Sequence, residues 1–287
     1  MITGINDIKT IGVVGSGTMG LGIAQLASMA GLRTIQFDIN KEALKKAEST
    51  IQKNLSKGIE KGKVTEGERN KALELLIYKD DLNAVKADFI IEAVIEKLEV
   101  KKQLFKKLGS FNAPDTIYAS NTSSIPITQI GANLNHPAQF VGMHFFNPAH
   151  IMKLVEVISG ASTDSVVAQI TYDLALKFGK SPVMAADSPG FIVNRVARHF
   201  YVESLKILEE GITDIESIDK LLTASGFKMG PFQLMDLIGV DTNFSVTASM
   251  FNSFYHDPKF RPSRIQQQKV DAGHHGRKSG KGFYDYE

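Results

Sequence analysis

Thr10-Ile11-Gly12-Val13-Val14-Gly15-Ser16-Gly17-Thr18-Met19-Gly20 is the stretch on which the reading of the fold turns. Its first five residues form a mostly β-branched run of strand length. The run leads directly into glycines spaced GxGxxG, and Thr18 to Ala30 reads as a helix that Gly31 caps in the left-handed conformation. Thr34 to Asp38 reads as a second strand, which places Asp38 at its end, 18 residues after Gly20. Strand, glycine turn, helix, strand and terminal acid together form a dinucleotide-binding fingerprint.

Each position has a physical reason. Gly15 allows the tight turn, Gly17 lets the backbone approach a pyrophosphate, and Gly20 lets helix pack closely on strand. The first helical turn, with Thr18 and Met19, offers N–H groups to the phosphates. Asp38 is expected to accept hydrogen bonds from the adenosine ribose, and its charge repels a 2′-phosphate. Ile39 and Asn40 supply no compensating positive charge, so NAD is expected over NADP. The competing interpretation is a structural glycine turn followed by an aspartate helix cap.

Outward from this segment, Asp88–Glu92, Thr116–Ser120, Gln139–His144 and Leu154–Ile158 read as further strands, with a charged helix from about Glu96 to Leu108. Alternating strands and helices predict an α/β fold, a Rossmann-type doubly wound, mainly parallel sheet. Lys41 to about Lys79 interrupts the rhythm and reads as an inserted helical hairpin broken near Gly62. After Pro189-Gly190 the chain reads as helices only, with turns at Gly211, Gly226, Gly230 and Gly239. Val193, Val196, Ala197, Phe200, Ile207 and Leu208 form a helical stripe. A boundary near Asp187 divides the chain into an NAD-binding domain, 1–187, and an all-α C-terminal domain, 188–287.

Composition narrows the function classes. Of the 287 residues 43% are hydrophobic, enough for a real core, and a net charge of +2 gives no reason to expect nucleic acid. The absence of cysteine excludes disulfides, thiolate catalysis and cysteine zinc sites, and no metal site is expected. No apolar run approaches the ~20 residues that span a bilayer. The N-terminal MITGINDIKTIGVVG has no basic region followed by an apolar signal core, so a cytoplasmic protein without membrane partners is expected.

His144 ends a predicted strand, where ligands gather in doubly wound sheets, and imidazole suits proton transfer near neutral pH. A lone strand-end histidine is more often structural. Glu156 lies at the centre of the apolar run Lys153–Ile158. Buried, it needs a partner, and the imidazole of His144 is the natural one; alternating onto a solvated face, it needs none. Ser123, in a loop after a strand, reads equally as a turn or helix cap and as a site hydroxyl. Asn194 is a polar group at the start of an otherwise apolar helix, suited to capping, to domain packing or to polarising a substrate oxygen.

Ser120-Asn121-Thr122-Ser123-Ser124, MHFFNP at Met143 to Pro148, MKLVEV at Met152 to Val157 and PGFIVNR at Pro189 to Arg195 resemble the 3-hydroxyacyl-CoA dehydrogenase family, as do GPFQLMDLIGVD at Gly230 to Asp241 and GRKSGKGFYDY at Gly276 to Tyr286. The resemblance runs from about Ile11 to Tyr286, and the layout is most similar to the short bacterial 3-hydroxybutyryl-CoA dehydrogenases. It implies a catalytic His144–Glu156 pair assisted by Ser123 and Asn194, both of which would also touch the substrate. It also implies NAD contacts from Glu96, Lys101, Ser123, Asn147 and Lys278, besides the glycine loop and Asp38. Ser16 departs from the alanine common in the family, a small change with little effect expected beyond an extra hydrogen bond. His199 stands where the family is usually apolar and is expected at a surface or interface.

The resemblance places acyl-CoA contacts in the helical hairpin. Lys46, Lys53, Lys57 and Lys61 share one helical face there, and residues 41–71 carry nine Lys/Arg against five Glu. A solvated charged helix accounts for such a run as well as a CoA-phosphate face does; Lys57 is the chosen substrate contact. Phe191, Phe200, Phe227, Phe232, Phe244 and Phe251 give the second domain more apolar surface than one sheet edge can cover, which predicts a homodimer through it. Two rival readings compete with this one. A β-hydroxyacid dehydrogenase would carry a catalytic lysine where Asn194 stands. A non-catalytic NAD-binding structural or sensor relative would have lost one of Ser123, His144, Glu156 and Asn194.

Overall fold

The apolar run opening the fingerprint is a strand because it is enclosed on both edges and both faces. In the computed structural model, which describes residues 2–132 and 134–287, β1 (Thr10–Val14) is buried from Ile11 to Val14. It pairs in parallel with β2 (Arg33–Phe37) on one side and β4 (Phe89–Glu92) on the other. Parallel strands need crossovers, and helix supplies them. The remaining elements of this first unit are α1 (Thr18–Met29), α2 (Lys41–Glu60), α3 (Glu66–Glu74), β3 (Leu76–Lys79), α4 (Leu98–Gly109), β5 (Ile117–Ser120), α5 (Ile127–Gly131), β6 (Phe140–Phe145), β7 (Leu154–Ser159), α6 (Ser165–Lys177) and β8 (Ser181–Ala186).

The strands form one eight-stranded sheet in the order β3-β2-β1-β4-β5-β6-β7-β8. The order reverses between β1 and β4, and such a switch point opens a ligand crevice at the carboxyl ends of the strands. Among the described pairings, β6 with β7 is antiparallel and the others are parallel, so the sheet is mixed. Its core includes Ile11, Val13, Ile23, Ala24, Phe89, Ile91, Val141 and Val155, all fully buried.

Two local expectations need correction. The hairpin does not stay helical to Lys79. Its two helices are well capped, α2 by the Asn40 side chain and α3 by a Thr65/Glu68 capping box, but α3 ends at Glu74. Leu76 to Lys79 then turn extended, because the free edge of β2 offers ladder hydrogen bonds to a β-branched and aromatic segment. Strand β8 was not anticipated. Its Ser-Pro start argues against a central strand, and the structure puts it at the sheet edge, where proline is tolerated.

The chain forms two compact units, Met1–Ser188 and Pro189–Glu287. The second unit consists of α7 (Val193–Glu209), α8 (Ile215–Ala224), α9 (Pro231–Ile238), α10 (Val240–Ser253) and α11 (Arg264–Asp271). Its core gathers Tyr201, Leu205, Ile218, Phe232, Met235, Val240 and Phe283. The most buried face of α7 passes through Arg198, Tyr201, Val202 and Leu205, whereas Val196 of the expected stripe is 69% exposed. Ala197, Phe200, Ile207 and Leu208 of that stripe do pack against the core, and the stripe omits the buried cation Arg198, whose guanidinium donates to Asn243 O and Thr247 Oγ1.

Buried carboxylates hold the second unit together. Asp219 accepts the Phe232 and Gln233 N–H groups at the start of α9 and the Tyr284 hydroxyl. Asp236 accepts the N–H groups of Phe283 and Tyr284 and the hydroxyl of Tyr286, tying the C-terminal segment down. No described helix is long and apolar enough to cross a membrane.

Candidate active site

The glycine turn joins β1 to α1. Gly15 has φ +106°, and a Cβ there would lie 2.5 Å from Ala93 O; a Cβ on Gly20 would lie 2.0 Å from Gly15 O. Both positions therefore exclude any larger residue. Gly17 differs: a Cβ there would meet nothing within 4 Å, so its missing side chain leaves open space in front of the helix. Gly17 is also the N-cap of α1 and makes no side-chain cap bond, leaving the first-turn donors around Thr18 and Met19 without a side-chain acceptor. Open space beside such donors fits a dinucleotide pyrophosphate.

Asp38 follows β2 at the same rim. Its Oδ2 accepts both the Ser16 N–H and the Ser16 hydroxyl at 2.8 Å, and its Oδ1 accepts the Asn40 N–H at 2.9 Å. The extra hydrogen bond expected of Ser16 is thus made to Asp38. These donors hold the carboxylate in one orientation.

At the carboxyl end of β4 a charged network organises the loop after β5. Glu92 is fully buried and accepts the Val94 N–H, the Lys101 ammonium at 2.6 Å and the Ser120 hydroxyl at 2.6 Å. Lys101, 1% exposed, also reaches Glu96 Oε2 at 3.1 Å. Glu96 Oε1 in turn accepts the Thr122 hydroxyl at 2.5 Å and the N–H groups of Ser123 and Ser124. Burial alone would raise the pKa of Glu96, but Lys101, Thr122 and Ser123 outweigh it and hold the group below the usual carboxylate range. Glu96, Lys101 and Ser123 are therefore brought together. Glu92 and Thr122 belong to the same network and escaped the sequence reading; a charged residue closing the apolar run Asp88–Glu92 was the signal for the first.

Asn121 Oδ1 accepts the Phe145 N–H at 2.8 Å and so ties this loop to β6. On β6, His144 is the register partner of Glu156 on β7. His144 is 5% and Glu156 0% exposed, and Nδ1 lies 2.7 Å from Glu156 Oε2. A carboxylate only accepts, so Nδ1 carries the hydrogen and Nε2 is the basic nitrogen of the neutral ring. The Phe146 ring lies 4.6 Å from the imidazole, centroid to centroid. Between the strands, Asn147 is exposed in the connecting loop.

Lys57 lies in the last turn of α2 and is exposed. Asn194 is the second residue of α7 and Lys278 lies near the C-terminus, both in the second unit. The Lys278 ammonium pairs with Asp241 at 2.6 Å. Among the described residues no group of three or more His, Asp or Glu could hold a metal ion.

Both units resemble known proteins. The profile of the 3-hydroxyacyl-CoA dehydrogenase NAD binding domain matches residues 10–188, and that of the family's C-terminal domain matches 190–286. A 3-hydroxyadipyl-CoA dehydrogenase of Escherichia coli is 46% identical over 98% of the chain, which spans 59% of that longer relative. A probable 3-hydroxybutyryl-CoA dehydrogenase of Bacillus subtilis is 42% identical, with 98% of each chain covered. The crystal structure of (S)-3-hydroxybutyryl-CoA dehydrogenase PaaH1 from Ralstonia eutropha superposes with a TM-score of 0.94 at 37% identity, covering 98% of this chain and 99% of that one. The chain belongs to the family of NAD-dependent 3-hydroxyacyl-CoA dehydrogenases.

Proposed function

We propose that the chain interconverts (3S)-3-hydroxybutyryl-CoA and acetoacetyl-CoA, with His144 as general acid and base. The observation that carries this reading is the buried His144–Glu156 pair, Nδ1 to Oε2 2.7 Å, at the carboxyl end of β6. NAD, when bound, supplies the hydride acceptor at its nicotinamide C4. In the oxidative direction Nε2 of His144 takes the hydroxyl proton while hydride leaves carbon 3. Glu156 stabilises the imidazolium that results and keeps the ring in the productive tautomer. In the reductive direction the imidazolium returns the proton to the forming alcohol, so protons and electrons balance.

The other assignments follow. Ser123, whose backbone is anchored by Glu96, donates to the substrate oxygen or orients the nicotinamide. Asn194 polarises the 3-oxygen or the thioester carbonyl. Asp38 reads the ribose, and the loop Gly15–Gly20 takes the pyrophosphate. Glu96, Lys101, Asn147 and Lys278 complete the cofactor contacts; Lys101, at 1% exposure, acts chiefly through Glu92 and Glu96. The exposed α2 lysines, Lys57 among them, meet the CoA phosphates, and the second unit forms a homodimer. Exposed Val196, Leu221 and Phe227 support an apolar contact there, whereas Phe232 lies in the unit's own core and has no part in it. A monomer mass at micromolar concentration in light scattering contradicts the dimer.

The E. coli relative's name favours a second substrate, the longer 3-hydroxyadipyl-CoA with its terminal carboxylate. Steady-state kinetics with NADH across C4 to C16 3-ketoacyl-CoA esters and 3-oxoadipyl-CoA tests the choice. The butyryl reading requires the highest kcat/KM for acetoacetyl-CoA. In the same assay His144→Gln lowers kcat by about 10²–10⁴ with NADH affinity retained; near-normal turnover removes His144 from the chemistry.

A further inference from the structure

Lys180 is a buried cation held by carbonyls. It lies between α6 and β8, is 6% exposed, and its ammonium donates to Ala149 O at 2.6 Å and Met152 O at 2.8 Å. Burial first, then the like charge of Lys153, push its pKa down to about 8. A methionine of similar length would fill the space without the desolvation cost of a charge.

The accepting carbonyls share one loop, residues 146–153, which joins β6 to β7 and so connects the strand of His144 to the strand of Glu156. Pro148 O accepts the N–H groups of Ile151 and Met152, folding the loop back on itself. Ala149 is fully buried, and a Cβ on Gly22 would come within 3.0 Å of the Ala149 Cβ, so the loop is seated against α1. At the far side, Lys153 O accepts the Ser181 N–H and the Lys153 ammonium donates to Gly179 O. Asn147, two residues before Ala149, is carried on the exposed side of this seated loop.

We propose that Lys180 is a positioning residue for the dehydrogenase reaction: by gathering the carbonyls of Ala149 and Met152 on one ammonium, it fixes the 146–153 loop and thereby sets Asn147 for cofactor binding. The inference rests on the reading of Asn147 as an NAD contact. Without the ammonium, buried carbonyls lose their donor, and the loop relaxes away from α1 to find water.

A double-mutant cycle between Lys180→Met and Asn147→Ala tests it, read by NADH fluorescence titration and by separate KM values for NADH and acetoacetyl-CoA. Each single variant is expected to weaken NADH about tenfold and to leave KM for acetoacetyl-CoA within about twofold. The double variant is expected to be no worse than the weaker single variant, because both changes disable one device. Lys180→Arg, which keeps the charge and its donors, is expected to recover part of the NADH affinity. Losses that multiply in the double variant, equal rises in both KM values, or unchanged NADH affinity in Lys180→Met overturn the proposal. Should Lys180→Met not fold, Lys180→Gln carries the same cycle. An Asn147→Ala variant with normal NADH affinity removes the cofactor role of Asn147 and the proposal with it; a defect in Asn147→Ala alone removes only the proposal.

Discussion

His144 and Glu156 are direct cross-strand partners on the antiparallel pair β6–β7, and their side chains meet on one face with Nδ1 2.7 Å from Oε2. Residues opposite each other across an antiparallel pair project to the same side, so register alone sets the pair. A slip of one residue would send the two groups to opposite faces. Glu156 is fully buried, and its charge therefore acts on the imidazolium with little screening.

Glu156→Gln isolates that charge. The amide oxygen still accepts from Nδ1, but the negative charge of Glu156 no longer acts on the imidazolium. The expected loss is about 10²–10⁴ in kcat, with the far-ultraviolet circular dichroism and the NADH affinity of the parent. A variant turning over within about threefold of the parent shows that the carboxylate contributes orientation only.

Ser16 doubles the donors on Asp38 Oδ2, through its N–H and its hydroxyl at 2.8 Å each. Ser16→Ala leaves the backbone donors on both oxygens and removes the hydroxyl from Oδ2. The preference for NADH over NADPH, measured as the ratio of kcat/KM values, should then narrow by about tenfold, the worth of one hydrogen bond to a charged group. Asp38→Ala should narrow it further. An unchanged ratio in both variants contradicts the ribose-reading role.

Asp236 is fully buried and accepts the Phe283 N–H at one oxygen and the Tyr284 N–H and Tyr286 hydroxyl at the other. Asparagine would turn an N–H donor toward one of these donors. Asp236→Asn is expected to cost about 3 kcal/mol in urea unfolding and to open the C-terminal segment to limited proteolysis. Parental stability would show that the segment is held by its aromatic packing instead.

Lys180 makes stability depend on alkaline pH. Its folded-state pKa is about 8, below the ordinary lysine value of 10.5. Between these values the unfolded chain binds more protons, so this group's contribution rises with pH; the cost of burying the cation is fully present below about 8 and relieved above 10.5. The stability of the parent relative to Lys180→Met should therefore increase from pH 8 to pH 10 in urea titrations. A difference that stays flat across that range contradicts a buried ammonium.

Much of the site is legible in residue order because its requirements are local. GSGTMG must follow a strand and open a helix, whatever else the chain does, and Asp38 must end the next strand. The polar interruptions at Glu156 and Glu92 mark buried charges within apolar runs. Beyond the His144–Glu156 pair, the partners of buried charges are another matter. Glu92 meets Lys101 and Ser120, and Lys180 meets carbonyls 28 and 31 residues away, through packing that no sequence spacing encodes.

Residue order by itself determined that this chain has a dinucleotide-binding half, a helical half and a histidine–glutamate candidate pair, since hydrophobic period and glycine stereochemistry act over a few residues. Tertiary structure decided that β7 runs against β6, that Leu76–Lys79 becomes an edge strand, and that Ser16 binds Asp38. These are choices between partners distant in sequence. They are settled by which backbone edges remain unpaired and which buried charges remain unsatisfied once the core has closed.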